Sequence, residues 1–421
     1  MPELYGPDYL RRKLEKRRPR ILTRYRYYEM KNHLHYVSDI IPKHIWVQFE
    51  TVLGWCEKAV DNLSARLVFR TFKDDLYALN TIYAMNNRQV LIPSAIKSAL
   101  ICSCSFLYVS PGDDGFPRIQ ALDGGDATGI MDTTTGMLLE GYAVLQRDKN
   151  DRPVLEAYFL PGSTTFYRPR MAPQVVENSA PYPLLVPMVF NPDARRPFGR
   201  SRISRACMSL VKAALRTLIR SEVSADFYAF PQKYASGTSD DAELDSQRAT
   251  ISSFLQFTRD ENGDAPTLGQ FQQQSMQPYS DMLRMYTSLF AGETGMTLDD
   301  LGFASDNPSS QEAIQAAHEN LRLTAEAAQG TFGNALVNAG YLAACLRDDF
   351  PYRRNQLATT VPAWRPIFRP DAATMAGIGD GVNKINQSVP GYFGPDNIED
   401  LVGIGPDMSN GTTTGGGMTN G

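Results

Sequence analysis

The chain has 421 residues, 43% hydrophobic and 21% charged, with a formal net charge of -4 at pH 7. That length exceeds one ordinary core and predicts two or three structural units, while the composition excludes wholesale disorder. The small negative charge excludes a generally basic, non-specific nucleic-acid binder, so any DNA contact must be local or transient. Five cysteines, with Cys102 and Cys104 one residue apart, make no disulfide framework and predict synthesis in a reducing cytosol. The most apolar stretch, 90–109, is broken by Pro93, Lys97 and several serines, so no membrane span is predicted. The basic N-terminus has no apolar core or cleavage site of a secretory kind, which predicts a protein retained in the cell that makes it.

Residues 11–31 interleave Arg17, Arg18, Arg20, Arg24 and further lysines and arginines with Tyr25, Tyr27 and Tyr28. Such a stretch can neutralise phosphates and stack on bases, but a mobile solvated arm is the plainer expectation. From Ile45 to Leu63, Trp46, Phe49, Val52, Leu53, Cys56 and Val60 recur at helical spacing, and Leu67 to Phe69 read as a short strand. A turn around Asn86 and Asn87 and a helix-to-strand passage from Ser94 to Val109 follow. Between 105 and 167 the pattern turns to alternation, interrupted by turns at 111–115, 132–136 and 148–151, which predicts antiparallel hairpins in an α+β domain. Asp123, Asp126 and Asp132 lie at glycine-rich turns with no histidine nearby, so turn structure outweighs a metal site. Val186 to Phe190 read as a final strand.

Ile203, Ala206, Cys207, Leu210, Ala214, Leu218 and Val223 line one face of a helix opened by a side-chain cap from Ser201 and stopped at Pro231. Arg205, Lys212, Arg216 and Arg220 form a basic stripe on its other face. Taken alone, the stripe reads as solvated; its sharper alternative is contact with phosphate or an acidic neighbouring subunit. Strands near 230–235 and 267–273 bracket a polar stretch with a helix at 240–258, and a second helix starts at Pro278. A loop at 297–310 precedes a long helix from Ser309 to about Leu346, where Gly330 and Gly333 invite a bend. His318 on that helix reads as a surface or subunit contact, and His33 with His35 as solvated. Weak helices are expected at 372–385 and 395–401, before a low-complexity tail.

Several islands, in order, carry a resemblance. They are YRYYEMKNHL at 25–34, GWCEKAVDNLSARL at 54–67, PFGRSRIS at 197–204, AFPQKYASG at 229–237 and DNPSSQEAI at 306–314. Together they resemble the portal proteins of tailed bacteriophages, of the siphovirus type, over roughly residues 20–400. Met30 stands where the family has glycine and Gly54 where it has asparagine.

The resemblance implies an α+β portal fold: an antiparallel-hairpin wing, two stem helices bracketing a small α/β clip, a long bent wing helix and a short helical crown. Residues 1–202 would form the N-terminal arm and wing, 203–228 the descending stem helix, 229–276 the clip and 277–296 the ascending stem helix. Residues 297–309 would be a tunnel loop, 310–350 the long wing helix, 351–408 the remaining wing and crown, and 409–421 a disordered tail. It further implies a homo-oligomeric ring of about twelve subunits at one capsid vertex, made in the host cytoplasm and carried in the virion. Double-stranded DNA would pass through it during packaging, retention and ejection. The terminase large subunit, a head completion or adaptor protein, and the major capsid and scaffold proteins would be its partners, with no membrane. Asp299, Asp300, Phe303, Asp306 and Asn307 would line the channel, and Arg17, Arg18, Arg20 and Arg24 would contact nucleic acid or capsid.

No phosphate-cradling loop, nucleophile elbow or zinc-helix motif occurs, so no catalytic role and no cofactor or metal are expected. The competing reading is a non-enzymatic nucleic-acid-binding protein acting as monomer or dimer through its basic N-terminal arm.

Overall fold

The alternating pattern between 104 and 189 folds as antiparallel strands whose hairpins are set by turn chemistry. The structure is a computed structural model and describes residues 4–34, 51–112, 115–229, 233–236, 267–270, 275–303, 318–368 and 372–402. The described helices are α1 (Pro7–Tyr28), α2 (Trp55–Ser64), α3 (Leu79–Met85), α4 (Arg88–Cys102), α5 (Arg205–Ala229), α6 (Gln277–Thr294), α7 (Glu319–Arg347), α8 (Ala372–Ser388) and α9 (Pro395–Val402). The strands are β1 (Phe69–Lys73), β2 (Cys104–Ser110), β3 (Arg118–Leu122), β4 (Ala127–Met131), β5 (Leu138–Arg147), β6 (Pro153–Leu160), β7 (Ser163–Tyr167), β8 (Gln174–Glu177), β9 (Leu185–Val189), β10 (Lys233–Ser236), β11 (Thr267–Gln270) and β12 (Val361–Trp364). Two compact units result: residues 1–29, 56–204 and 309–421 form one, and 30–55 and 205–308 the other.

In the first unit, β4-β5-β6-β7-β8 make a five-stranded sheet, β3-β2-β9 a three-stranded sheet and β1-β12 a pair, all antiparallel. The β4–β5 hairpin is closed by Asp132, whose carboxylate accepts from the Thr134 amide at 2.9 Å and the Thr135 hydroxyl at 2.7 Å, with Gly136 at φ 72°. Asp148 does the same at the next turn, accepting from the amides of Asn150 and Arg152 at 2.8 Å. Both aspartates are therefore turn formers of the kind their neighbours predict. β2 and β9 are apolar along most of their length and buried on both faces, because α4 and α7 cover them.

α7 continues without interruption through Gly330 and Gly333. A methyl group added at Gly333 would sit 2.5 Å from the Pro362 side chain, and one at Gly340 would sit 2.9 Å from Leu79. These two glycines let β12 and α3 approach the helix, so the small residue at 333 serves packing. Tyr83 of α3 completes the seam by donating its hydroxyl to the Leu336 carbonyl at 2.7 Å.

Several expectations change. Residues 51–54 are not helical and α2 begins at Trp55, while 45–50 lie outside the described residues. β1 starts at Phe69 instead of ending there, because Phe69 and Phe72 are needed against Tyr83 and Trp364. Ser201 does not cap α5, which starts at Arg205. Its hydroxyl donates to the Ile101 carbonyl at 2.6 Å and accepts from the Ile203 amide, tying the chain to the end of α4. His318 is buried at 8% exposure with its ring 5.9 Å from that of Phe368, so it is a packed residue rather than a surface one. His33 is exposed; His35 and the expected helix at 240–258 lie outside the described residues.

In the second unit α5 packs along α6, and the Ser224 and Tyr279 hydroxyls share a hydrogen bond of 2.8 Å. β10 and β11 pair antiparallel, with Lys233 opposite Gln270 and Ser236 opposite Thr267. α6 ends at Gly295, whose φ of 65° admits the left-handed cap that glycine favours.

All five cysteines are free and buried. Burial pushes the Cys104 thiol up to about 12 and the Cys345 thiol up to about 11, which keeps both protonated and unreactive. Ellman's reagent at pH 8 is expected to leave the native protein unmodified and to titrate all five thiols after unfolding; a fast native phase would show that a cysteine is accessible.

Candidate functional site

The basic N-terminal stretch is an ordered helix, not a mobile arm. Leu10, Leu14, Ile21 and Tyr27 of α1 are buried, and Leu10 and Leu14 join Tyr142, Val144 and Tyr158 of the five-stranded sheet in one core. Ahead of the helix, the carboxylate of Glu140, itself 1% exposed, accepts the amides of Tyr5 at 3.0 Å and Gly6 at 3.1 Å. The Tyr158 hydroxyl donates to the same carboxylate at 2.8 Å. A buried carboxylate placed at the start of a helix meets both free amides and the positive end of the helix dipole.

The cations of α1 divide by face. Arg11 pairs with Glu156 at 3.0 Å, Arg18 with Asp151 at 2.7 Å, and Lys13 donates to the Gly129 carbonyl at 2.7 Å, burial holding its pKa below the usual lysine range. Arg17 donates to the Ser103 hydroxyl at 3.1 Å and Arg24 to the Cys102 carbonyl at 3.2 Å. α4 ends at Cys102 with no basic residue in its own last turn, so these arginines supply the cation that its negative end lacks. Beside them Asp123 accepts from Tyr25, from Ser98 at 2.8 Å, from Cys102 at 3.2 Å and from the Gly125 amide. Arg12, Lys16, Arg20 and Arg26 remain exposed. Of the four arginines expected to reach a partner, only Arg20 points to solvent; Arg17, Arg18 and Arg24 are committed within the fold. Their spacing carried the signal: Leu10, Leu14, Arg17, Ile21 and Arg24 follow each other at four and three residues, which puts the two arginines on the buried face.

In the second unit, Arg205, Lys212 and Arg220 of α5 are exposed and Arg216 is half-buried. At 100° per residue all four fall within an arc of about 80°, so the stripe is continuous. The expected channel loop begins with a 3₁₀ turn, Asp299–Leu301. The Thr297 amide donates to the Asp300 carboxylate at 3.0 Å and the Asp300 amide to the Thr297 hydroxyl at 3.2 Å, so Asp300 closes its own turn. Asp299 is exposed and Phe303 half-buried. Asp306 and Asn307 lie outside the described residues. Among the described residues no group of three or more histidines, cysteines or carboxylates is placed to hold a metal ion, and no helix is long and apolar enough to cross a membrane.

These features are those of a protein with an α+β body and a second unit in which a pair of antiparallel strands lies between two helices along the chain. The family model described as phage portal protein, SPP1 Gp6-like, matches residues 8–361, and the chain belongs to that family. It is similar to the portal protein of Mycobacterium phage D29, 29% identical over 201 residues covering 44% of this chain and 40% of that one. It is also similar to the portal protein of Mycobacterium phage L5, 29% identical over 217 residues covering 47% and 43%. The chain spans about two fifths of the length of these curated relatives. A solved structure titled "Neck of native GTA particle computed with C12 symmetry" aligns over 84% of this chain and 90% of that one, with 14% identity and a TM-score of 0.42.

Two substitutions separate the two faces of α1. Arg24→Ala is expected to lower stability by about 1–2 kcal/mol in urea unfolding, as a buried charge-assisted bond is lost, whereas Arg20→Ala should change it by less than about 0.5 kcal/mol. Glu140→Ala strands two amides and a hydroxyl and should cost about 3 kcal/mol; equal effects at Arg20 and Arg24 would mean that α1 is not seated as described.

Proposed function

We propose that the protein is the subunit of a portal ring at one capsid vertex, conducting double-stranded DNA during packaging and ejection and retaining it between them. Family membership over residues 8–361 carries this reading, and the order of α5, the paired strands β10 and β11, and α6 supports it. The first unit then supplies the wing, with 351–408 completing wing and crown. α5 and α6 are the stem helices, 229–276 the clip and 297–309 the tunnel loop. The terminase large subunit docks at the clip during packaging, a head completion or adaptor protein replaces it, and capsid and scaffold proteins surround the wing.

The chemistry required is passive. DNA must slide, so its phosphates must not be held by fixed cations, whose contacts give strong, salt-sensitive affinity. Exposed Asp299, repeated around a ring, presents negative charge to the passing phosphates and keeps them solvated. Arg205, Lys212 and Arg220 make periodic weak contacts with DNA or with a neighbouring subunit. The alternative, DNA binding through the N-terminal arm, loses support because Arg17, Arg18 and Arg24 already have partners.

Native mass spectrometry with negative-stain imaging is expected to give rings with a central hole. In those rings Asp299→Asn should alter packaging or DNA retention without changing ring mass. Asp300→Asn is the control, because it also disturbs the 3₁₀ turn. A stable monomer with tight DNA affinity, lost on deletion of residues 11–26, would overturn the portal reading.

A further inference from the structure

On α7, Thr331, Asn334 and Asn338 stand at i, i+3 and i+7, a polar stripe on one face of a helix that is otherwise largely buried and rich in alanine and leucine. That face borders a cleft of about 510 Å³ in the first unit, whose other walls are the β4–β5 hairpin, β9, the turn at 192–197 and Arg354. Arg354 is fixed from behind. It opens a 3₁₀ turn, Arg354–Leu357, in which Leu357 is buried, and just before it the Tyr341 hydroxyl of α7 donates to the Tyr352 carbonyl at 2.7 Å. The Arg354 Nε donates to the Asn338 side-chain oxygen at 3.2 Å. A guanidinium can only donate, so the Asn338 oxygen must face it and the Asn338 amide nitrogen is left as a donor. Asn338 is 7% exposed, yet that nitrogen has no hydrogen-bond partner among the described residues, and neither have the two terminal nitrogens of Arg354.

The cleft therefore offers one positive charge with N–H donors around it. Of the residues that line it only Asp193 is a carboxylate, and it is already engaged: it pairs with Arg200 and accepts the amides of Arg195 at 2.9 Å and Arg196 at 2.8 Å. A half-buried guanidinium in such a place favours an oxyanion that matches its planar fork. A carboxylate brings one negative charge against the one cation, and its two oxygens can accept from the fork and the amide together. A DNA strand calls instead for a row of cations, and the exposed Asp193 would oppose a second phosphate. Met131, Pro192 and Pro197, each at least partly exposed, add apolar surface for the methylenes of an acidic side chain.

We propose that this cleft binds a carboxylate of another polypeptide, an aspartate or glutamate side chain held by Arg354 and Asn338. The site is complete within one copy, so its test does not depend on ring formation.

Acetate is the probe and acetamide its neutral counterpart, read by saturation-transfer NMR on the full chain at constant ionic strength. Acetate should bind saturably and acetamide should not. Arg354→Gln, which keeps a donor toward Asn338 but removes the charge, should weaken acetate binding about tenfold or more. Asn338→Asp is nearly isosteric and supplies Arg354 with a carboxylate from within, so it should abolish acetate binding without lowering Tm, a result that misfolding would not reproduce. Native mass spectrometry of both variants identifies the source: fewer rings would mean that a neighbouring copy supplies the carboxylate and competes with acetate, and unchanged rings with acetate bound would assign it to a different protein. Equal signals from acetate and acetamide, or acetate binding that survives both substitutions, would overturn the inference. So would the absence of an acetate signal with ring mass unchanged in both variants. Dimethyl phosphate binding more tightly than acetate would assign the cleft to a phosphodiester instead.

Discussion

The first unit depends on how α1 is seated. A single buried carboxylate, Glu140 on β5, receives the amides ahead of the helix, and two arginines further along reach the end of α4. Each interaction pairs a full charge with a helix end, where unsatisfied backbone groups and the aligned peptide dipoles reinforce each other. Because Arg17 and Arg24 meet the Cys102–Ser103 corner, the same helix fixes both the five-stranded sheet and the point where α4 turns into β2. Ser201 ties to Ile101 at that corner too, so the segment leading to α5 starts from the same anchor.

This seating changes what a basic segment means. Ten lysines and arginines between 11 and 31 suggest a nucleic-acid arm when read as composition. Placed on a helix, they separate into an inner set that neutralises Glu156, Asp151 and the α4 carboxyl end and an outer set that faces water. Charge on the buried face is structural because its desolvation is offset only by fixed partners. The outer set alone faces solvent.

The acidic turn at 299–301 and the Arg354 cleft in the first unit follow the same logic in reverse. Asp300 is held by Thr297, while Asp299 is exposed; Asp193 is held by Arg200 and its own turn, while Arg354 meets no carboxylate among the described residues. On the proposed portal reading, charges that face outward mark the surfaces that meet something else.

Much of the fold was legible beforehand, and for local reasons. Alternation and Asx-type turns at 132–136 and 148–151 determine the hairpins, and three- and four-residue spacing determines α5 and α6, because these patterns depend on chain periodicity alone. Ordered islands of wording sufficed to indicate the family. The sequence left open the partner of each charge and the reason for each glycine. Gly333 looked like a hinge until β12 was laid across it, Ser201 looked like a cap until Ile101 was found beside it, and Arg17 and Arg24 looked free until α4 ended under them. Those contacts join residues separated by 29 to 100 positions, a distance over which no periodicity carries information. Only the tertiary structure, by bringing the element ends together, decided which charges stabilise the fold and which face outward.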